Sequence, residues 1–367
     1  MYNWQLDSWP NFNYSTDNLT PIAVAFAKEF GTAKGLMTGL NDDLKQETLV
    51  EILISEAIKT SEIEGEYISR EDLMSSIKKN LGLKDAKIVS DKRAAGIAQL
   101  MTTIRQDIME ELSLEMILGW HQILTEGFPK INAGAWRKGE EPMQIVSGTW
   151  GKETVHYQAP PSHRVPDEMK GFLQWFHQDE LEAKDEVTKA LLKAAIAHLY
   201  FESIHPFEDG NGRIGRALAE YTISNTLQSP VLLSLSKIIE KNKKQYYNAL
   251  KQAQSGLEIT EWIGYFAEVI LEAQIDAKQV IEFTVRKAKF FDRLKPLLNE
   301  RQIKALNRML ENGPDGFEGG MTAKKYMAIT KTSKATATRD LQHLQELGAV
   351  EQIGAGRSVR YELYLEV

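Results

Sequence analysis

Between His205 and Arg216 the chain reads HPFEDGNGRIGR, gathering a histidine, two acids, an asparagine, several glycines and two arginines into one short stretch. Few structural duties call for that mixture. Upstream, Thr188 to Ile204 sets Leu192, Ile196, Leu199 and Tyr200 at helical spacing, and downstream Arg213 to Leu227 is rich in Ala, Leu and Ile with no breaker after Gly215. Asp209-Gly210-Asn211-Gly212 therefore predicts a turn that feeds a helix start. Glycines there permit positive φ and close backbone approach, while the free N–H groups of a helix's first turn favour an anion. A phosphate cradle suits this pattern. Arg213 and Arg216, three residues apart, share a face of that turn where a polyphosphate tail would lie. Asp209 could hold a Mg²⁺ beside the phosphates, and His205 offers an imidazole for general-base work. Each residue taken singly also has an ordinary reading: Asn-Gly and Asp-Gly are common turn dipeptides, and a histidine before proline commonly serves structure.

The conjunction is more specific than its parts. At every fixed position the stretch fits HxFx(D/E)GNGRxxR, and so it resembles the signature of the Fic family of AMP-transferases. The resemblance implies His205 as the catalytic base, Asp209 as the metal ligand, and Asp209, Gly210, Asn211, Gly212, Arg213, Ile214, Gly215 and Arg216 as the nucleotide-binding run. It further implies ATP as substrate, Mg²⁺ as cofactor, and as acceptor a Tyr, Ser or Thr hydroxyl of a target protein or of this chain itself.

Three other stretches join this reading. Asn41 to Glu64 predicts a long amphipathic helix, marked by Leu49, Leu53, Ala57 and Ile58, which stops at Gly65. Its end, Thr60-Ser61-Glu62-Ile63-Glu64-Gly65, is similar to the family's inhibitory motif (S/T)xxxE(G/N). The similarity implies that Glu64 pairs with Arg216 in the place of the ATP γ-phosphate, or orients a water that removes AMP; a solvated acid near a helix end is the plain alternative. Met143 to Ser147 and Thr154 to Tyr157 predict a β-hairpin whose edge could take an extended peptide. In the family such a flap holds the target, which implies target contacts at Ile145, Val146, Ser147 and Gly148. Finally, Tyr246-Tyr247-Asn248-Ala249-Leu250 and Gln254 resemble a family helix that borders the adenine, although aromatic packing explains the tyrosines equally well.

The elements that must position these residues are mostly α-helical. Residues 1–82 read as an N-terminal helical domain carrying the inhibitory helix, with Trp4, Trp9, Phe12 and Tyr14 as an aromatic cap on the helices that follow. Residues 112–275 read as a Fic-type helical core with the hairpin flap, closing on a helix near Trp262 to Lys278. A long polar helix, about Asp276 to Leu297, then leads to residues 290–367, whose order of helix, helix-turn-helix and hairpin resembles a winged helix-turn-helix. Between Thr322 and Tyr361 seven Lys or Arg face three acids, a local balance of +4 in a chain whose net charge is −7. Lys331, Lys334, Thr336, Thr338 and Arg339, with Arg357 and Arg360 on the wing, could meet DNA phosphates. Protein docking is the other use of such a module. A nucleotide-sensing transcription regulator is accordingly the alternative to an AMP-transferring enzyme.

Composition bounds the rest. The 367 residues give room for two or three cores, and 43% apolar with 26% charged residues is the balance of a globular protein. With no cysteine, disulfides, a thiolate nucleophile and Cys-ligated zinc are excluded, and His121, His177 and His198 lack zinc-site spacing. The sequence has no long apolar run and no signal-like start, so a cytoplasmic protein without membrane contact is expected, as a homodimer.

Overall fold

A computed structural model describes residues 1–84, 86–147, 154–178, 181–311 and 313–365, with the side chains of Ser147, Asp315 and Arg357 left aside. In chain order the helices are α1 (Leu19–Gly39), α2 (Asp42–Ile63), α3 (Arg70–Asn80), α4 (Lys92–Asp107) and α5 (Leu114–Thr125). The hairpin strands β1 (Gln144–Ser147) and β2 (Thr154–Gln158) come next, then α6 (Val165–His177), α7 (Glu186–Ile204) and α8 (Asn211–Thr226). The chain continues through α9 (Leu235–Lys241), α10 (Lys243–Ala253) and α11 (Thr260–Leu294), and ends with α12 (Glu300–Leu310), α13 (Ala323–Thr330), α14 (Lys334–Glu346), β3 (Val350–Ile353) and β4 (Arg360–Leu363). These segments group into two compact units, residues 1–32 with 49–277, and residues 33–48 with 278–367.

The first unit is built around α7 and α8. Asp185 starts α7 by accepting the N–H groups of Val187 and Thr188. Helix α7 is apolar nearly all round, and both of its sides are covered. One side joins Ile54, Leu73, Ile97, Trp120 and Phe172 through Phe201 and Ile204, while the other joins Phe26, Ile239, Trp262 and Phe266 through Leu191 and Ala195. Val50, Leu53, Ile54 and Ala57 of α2 share the first of these cores, and Ile63 at its end joins the second.

Two sequence expectations change here. The N-terminal aromatics cap α7 and the hairpin base instead of the next helices. Trp9 meets Tyr200 edge-on at 5.0 Å, the Trp4 indole donates to the Gln158 carbonyl, and the buried Asn3 amide donates to Ser203. Within the expected N-terminal helical stretch, α1 spans Leu19–Gly39, its apolar residues interleaved with Thr, Gly and Lys. And α11 runs unbroken from Thr260 to Leu294, so the polar helix expected to begin near Asp276 is the continuation of the helix at Trp262. The composition turns from buried to polar along this one continuous helix, so composition alone divides it.

In the second unit, α12 opens on an Asn299/Gln302 capping box and α14 on a Ser333 cap. Leu306, Met309, Tyr326, Leu341, Leu344 and Tyr361 form its core. The β3–β4 wing is antiparallel, from Val350 opposite Leu363 to Ile353 opposite Arg360, and Met321 bridges Tyr361.

Candidate active site

His205 terminates α7 in the left-handed region, φ 50°, a conformation a non-glycine residue holds only when its surroundings impose it. Arg137 does the imposing. Its Nε donates to the His205 carbonyl at 2.7 Å, its Nη2 donates to Pro160 and Ile204 carbonyls, and its backbone N–H donates to the Pro206 carbonyl. Burial lowers this guanidinium to about 10. The next turn is closed by Asn211, whose amide both accepts from Phe207 N–H and donates to the Phe207 carbonyl at 2.9 Å. Beneath it the His121 ring stacks on Phe207 at 3.8 Å, accepts from Gly134 N–H and reaches the Asp209 carbonyl. Burial pushes His121 down to about 4, so it serves this loop as a neutral ring.

Gly210, at φ 85°, is the N-cap of α8. The first-turn N–H groups of Asn211, Gly212 and Arg213 that follow have no intrahelical carbonyl to bond, the arrangement that receives an anion. Gly210 N–H itself is taken by the Asp209 carboxylate at 2.6 Å. Arg213 reaches Glu66 at 3.1 Å and Asp209 at 3.3 Å. Arg216 donates to Glu64 at 2.8 Å, to the Thr60 hydroxyl at 2.9 Å and to the Thr60 carbonyl at 3.1 Å. Burial alone would lower the Arg216 guanidinium; the charge of Glu64 and its neighbours outweighs that and leaves it raised. A Cβ at Gly212 would collide with Glu64 Oε1, so this glycine keeps open the place that the carboxylate fills. The α2 terminus that carries Glu64 is held in turn by Lys243, which donates to the Ile63 carbonyl.

The remaining sequence-predicted residues divide. Asp209 stays half exposed at the loop tip, beside Arg213. Ile214 is wholly buried in the core, and Gly215 faces inward, where a Cβ would stand 2.5 Å from Glu202 Oε1. Both are therefore structural neighbours of the cradle and not part of its surface. The Asn211 side chain is spent on the loop, which leaves only its N–H for a phosphate. Tyr246 is buried with its hydroxyl 2.7 Å from His198, and the buried Gln254 amide donates to the Glu202 carbonyl. Only Tyr247 of those three presents its side chain to solvent. On the hairpin, Val146 pairs with Val155 and both are exposed, while Ile145 pairs with the buried Tyr157. Tyr157 anchors the hairpin by donating to the Ser203 carbonyl at 2.7 Å. Gly148 lies outside the described residues. On the β3–β4 hairpin, Arg360 pairs with Glu362 at 3.1 Å, both half exposed.

Sequence reasoning missed Arg137, Glu66 and Glu202. Glu202 is buried three residues before His205, with Oε2 3.7 Å from His205 Nδ1. Burial would raise its carboxyl, but His205, His198 and Arg216 together hold it below the usual range. Its spacing from His205 was the available signal; for Arg137 nothing in the sequence separates it from the neighbouring surface cations.

The geometry meets its relatives at this point. A family model described as Fic/DOC family matches residues 111–223. A domain of unknown function, DUF4172, matches residues 2–83, and the C-terminal domain of DIP2311-like transcriptional regulators matches residues 318–364. The chain thus carries a Fic/DOC domain at residues 111–223. A probable protein adenylyltransferase of Aquifex aeolicus is 27% identical over 167 residues, 45% of this chain and 44% of that protein. Protein adenylyltransferase fic-1 of Caenorhabditis elegans is 25% identical over 159 residues, 43% of this chain and 27% of that protein. The chain thus spans less than half the length of these relatives. A Fic family protein from Desulfovibrio desulfuricans shares the fold, with TM-score 0.54, 19% identity and coverage of 96% of this chain and 98% of that one. A Fic domain containing signaling protein from Bacteroides thetaiotaomicron does so with TM-score 0.53 and 16% identity, over 72% of this chain and 97% of that one.

Proposed function

We propose that this chain is a protein adenylyltransferase, held in check by Glu64. The observation that carries the reading is the junction of His205 at the end of α7 with the N-terminus and Arg216 of α8, the Glu64 carboxylate occupying Arg216 at 2.8 Å. A carboxylate and a terminal phosphate both present a pair of anionic oxygens to a guanidinium fork, so they compete for it. With Glu64 displaced, the triphosphate tail would lie across the first-turn N–H groups and both arginines. His205 would take the proton from a Tyr, Ser or Thr hydroxyl as the oxygen attacks the α-phosphorus and pyrophosphate departs.

Mg²⁺ fits this arrangement in a limited way. Among the described residues no cluster of three His, Asp or Glu could hold a metal ion unaided, but Mg²⁺ is commonly bound by one carboxylate plus substrate phosphates. Asp209, half exposed at the cradle's edge, would be that carboxylate. The ion would supply charge neutralisation on the phosphates. The exposed Val146–Val155 face of the hairpin suits an extended target segment. No described helix is long and apolar enough to cross a membrane. A cytoplasmic site of action, near ATP, goes with this reading.

The test is transfer of label from α-labelled ATP to cell lysate and to the protein itself. Glu64→Gly should raise it and His205→Ala abolish it in the same background. No adduct with Glu64→Gly under any of the four common nucleotides would remove the enzymatic reading. Incubating an AMP-modified target with the unsubstituted chain and with Glu64→Gly tests the reverse reaction.

A second reading is favoured by the match of residues 318–364 to a transcriptional regulator's C-terminal domain and by the exposure of Lys331, Lys334, Thr338 and Arg339. In it the winged module binds DNA and the nucleotide cradle informs that binding. The two readings are compatible.

A further inference from the structure

We propose that Glu202 is the positioning residue of His205, turning the imidazole so that Nδ1–H faces the carboxylate and Nε2 receives the acceptor's proton. The inference rests on His205 being the base and adds to it the group that orients the base.

The pair is poised and otherwise unused. Glu202 Oε2 stands 3.7 Å from His205 Nδ1. That nitrogen and Glu202 Oε1 are both buried without a hydrogen-bond partner among the described residues. A buried carboxylate with a spare oxygen is costly, and a buried imidazole nitrogen is too, so their facing one another needs a reason. At 3.7 Å the contact is longer than a hydrogen bond, as catalytic contacts often are before substrate draws them together.

Hydrogen bonds around the pair hold its backbone carbonyls. Arg137 pins the His205 carbonyl, while Gln254 donates to the Glu202 carbonyl and accepts at its own carbonyl from Asn3 N–H. Gly215 keeps the carboxylate's place open, since a Cβ there would stand 2.5 Å from Oε1 and 3.2 Å from the His198 ring. His198, from the same helix, is tied by Nε2 to Tyr246 on α10 and lines the far side. Arg216 on α8 is the remaining charge near the carboxylate, and its guanidinium is already shared with Glu64 and Thr60.

The proton balance is simple. The acceptor hydroxyl gives its proton to Nε2 as its oxygen bonds the α-phosphorus and the bond to the pyrophosphate oxygen breaks. His205 becomes an imidazolium whose Nδ1–H points at the carboxylate, and it returns a proton to solvent once pyrophosphate has left. A carboxylate in this place fixes the tautomer and steadies the cation, as in hydrolase triads.

Long-range proton–nitrogen spectra of the full chain with labelled histidine read the tautomer directly, with His205→Ala supplying the assignment. The expected result is an Nδ1–H imidazole for His205 and a shift toward Nε2–H in Glu202→Gln. In the Glu64→Gly background, Glu202→Gln should lower kcat on the order of 100-fold with the KM for ATP within about threefold, and Glu202→Asp should recover part of the loss. An Nε2–H ring in the unsubstituted chain overturns the proposal, even where Glu202→Gln fails to fold. So does an unchanged kcat in a folded Glu202→Gln. If no variant transfers label, the enzymatic reading fails while the spectrum still decides the Glu202–His205 coupling.

Discussion

Glu64 meets Arg216 at 2.8 Å from the solvent side: the arginine side chain is 1% exposed and the glutamate 29%. The arginine does not depend on that contact for its position, because Thr60 holds it through hydroxyl and carbonyl. Removing the carboxylate therefore leaves the guanidinium in place and open. Glu64→Gly should tighten ATP binding by roughly tenfold or more, the scale of one hydrogen bond to a charged group. Calorimetric titration measures it; unchanged affinity would mean that the contact and the phosphate do not compete.

Glu66 extends the same contest to the other arginine. Its carboxylate lies 3.1 Å from Arg213, which is 2% exposed, so Glu64→Gly alone still leaves one arginine engaged from the α2 end. Glu66→Ala added to Glu64→Gly should gain a further threefold or so in ATP affinity, on the scale of a partly exposed pair. A double-mutant cycle separates the two contributions, and additivity is expected since each carboxylate meets a different guanidinium.

How much of this could be read beforehand follows from where each interaction runs. The turn from His205 to Arg216 and the Glu64 motif are local in sequence, and the helical signal flanking the turn came from the apolar spacing of Leu192, Ile196 and Leu199. The helices and hairpin of residues 300–363 were legible for the same reason: the Ser333 cap and the Gly354 turn act on their neighbours. What escaped was tertiary. Arg137 acts on carbonyls 67 and 68 residues away, Asn3 reaches Ser203 across 200, and neither leaves a periodic trace. The burial of Tyr246 and Gln254 follows from the packing of their surroundings, which a motif does not carry.

Arg137 carries the largest expected cost in stability. One side chain supplies donors to the carbonyls of Pro160, Ile204 and His205 and to the Ser162 hydroxyl, all in a buried setting. Arg137→Ala strands those acceptors and should destabilise the first unit by about 3 kcal/mol or more. Denaturant unfolding checks it. His205→Ala, which removes no such donor, should cost far less.

Below the site Glu220 sets a pH dependence. Burial raises its carboxyl to about 8, partly opposed by Arg105 and reinforced by the buried Glu56. Between its unfolded value near 4.5 and about 8 the folded chain holds a proton that the unfolded chain has lost. Stability from this group is therefore present below pH 4.5 and declines as pH rises through 8. Glu220→Gln should flatten the fall in melting temperature between pH 5 and pH 8. A fall as steep as in the unsubstituted chain would show that another group titrates there.

The winged module makes a prediction of its own. Lys334 and Arg339 lie on the exposed side of α14, whose other side packs Ala337, Leu341 and Leu344 into the core. That helix therefore has a basic face with no internal duty, the condition for a recognition helix laid into a groove. If DNA is the partner, affinity should fall steeply with salt, and Lys334→Ala and Arg339→Ala should each reduce the logarithmic salt slope by about 1. Labelling by the Glu64→Gly chain should stay unchanged in both, since neither residue belongs to the unit that carries His205. Gel shifts across salt concentrations with a fragment from the chain's own upstream region measure the slope. Binding that ignores both substitutions and salt would assign the module to a protein partner instead.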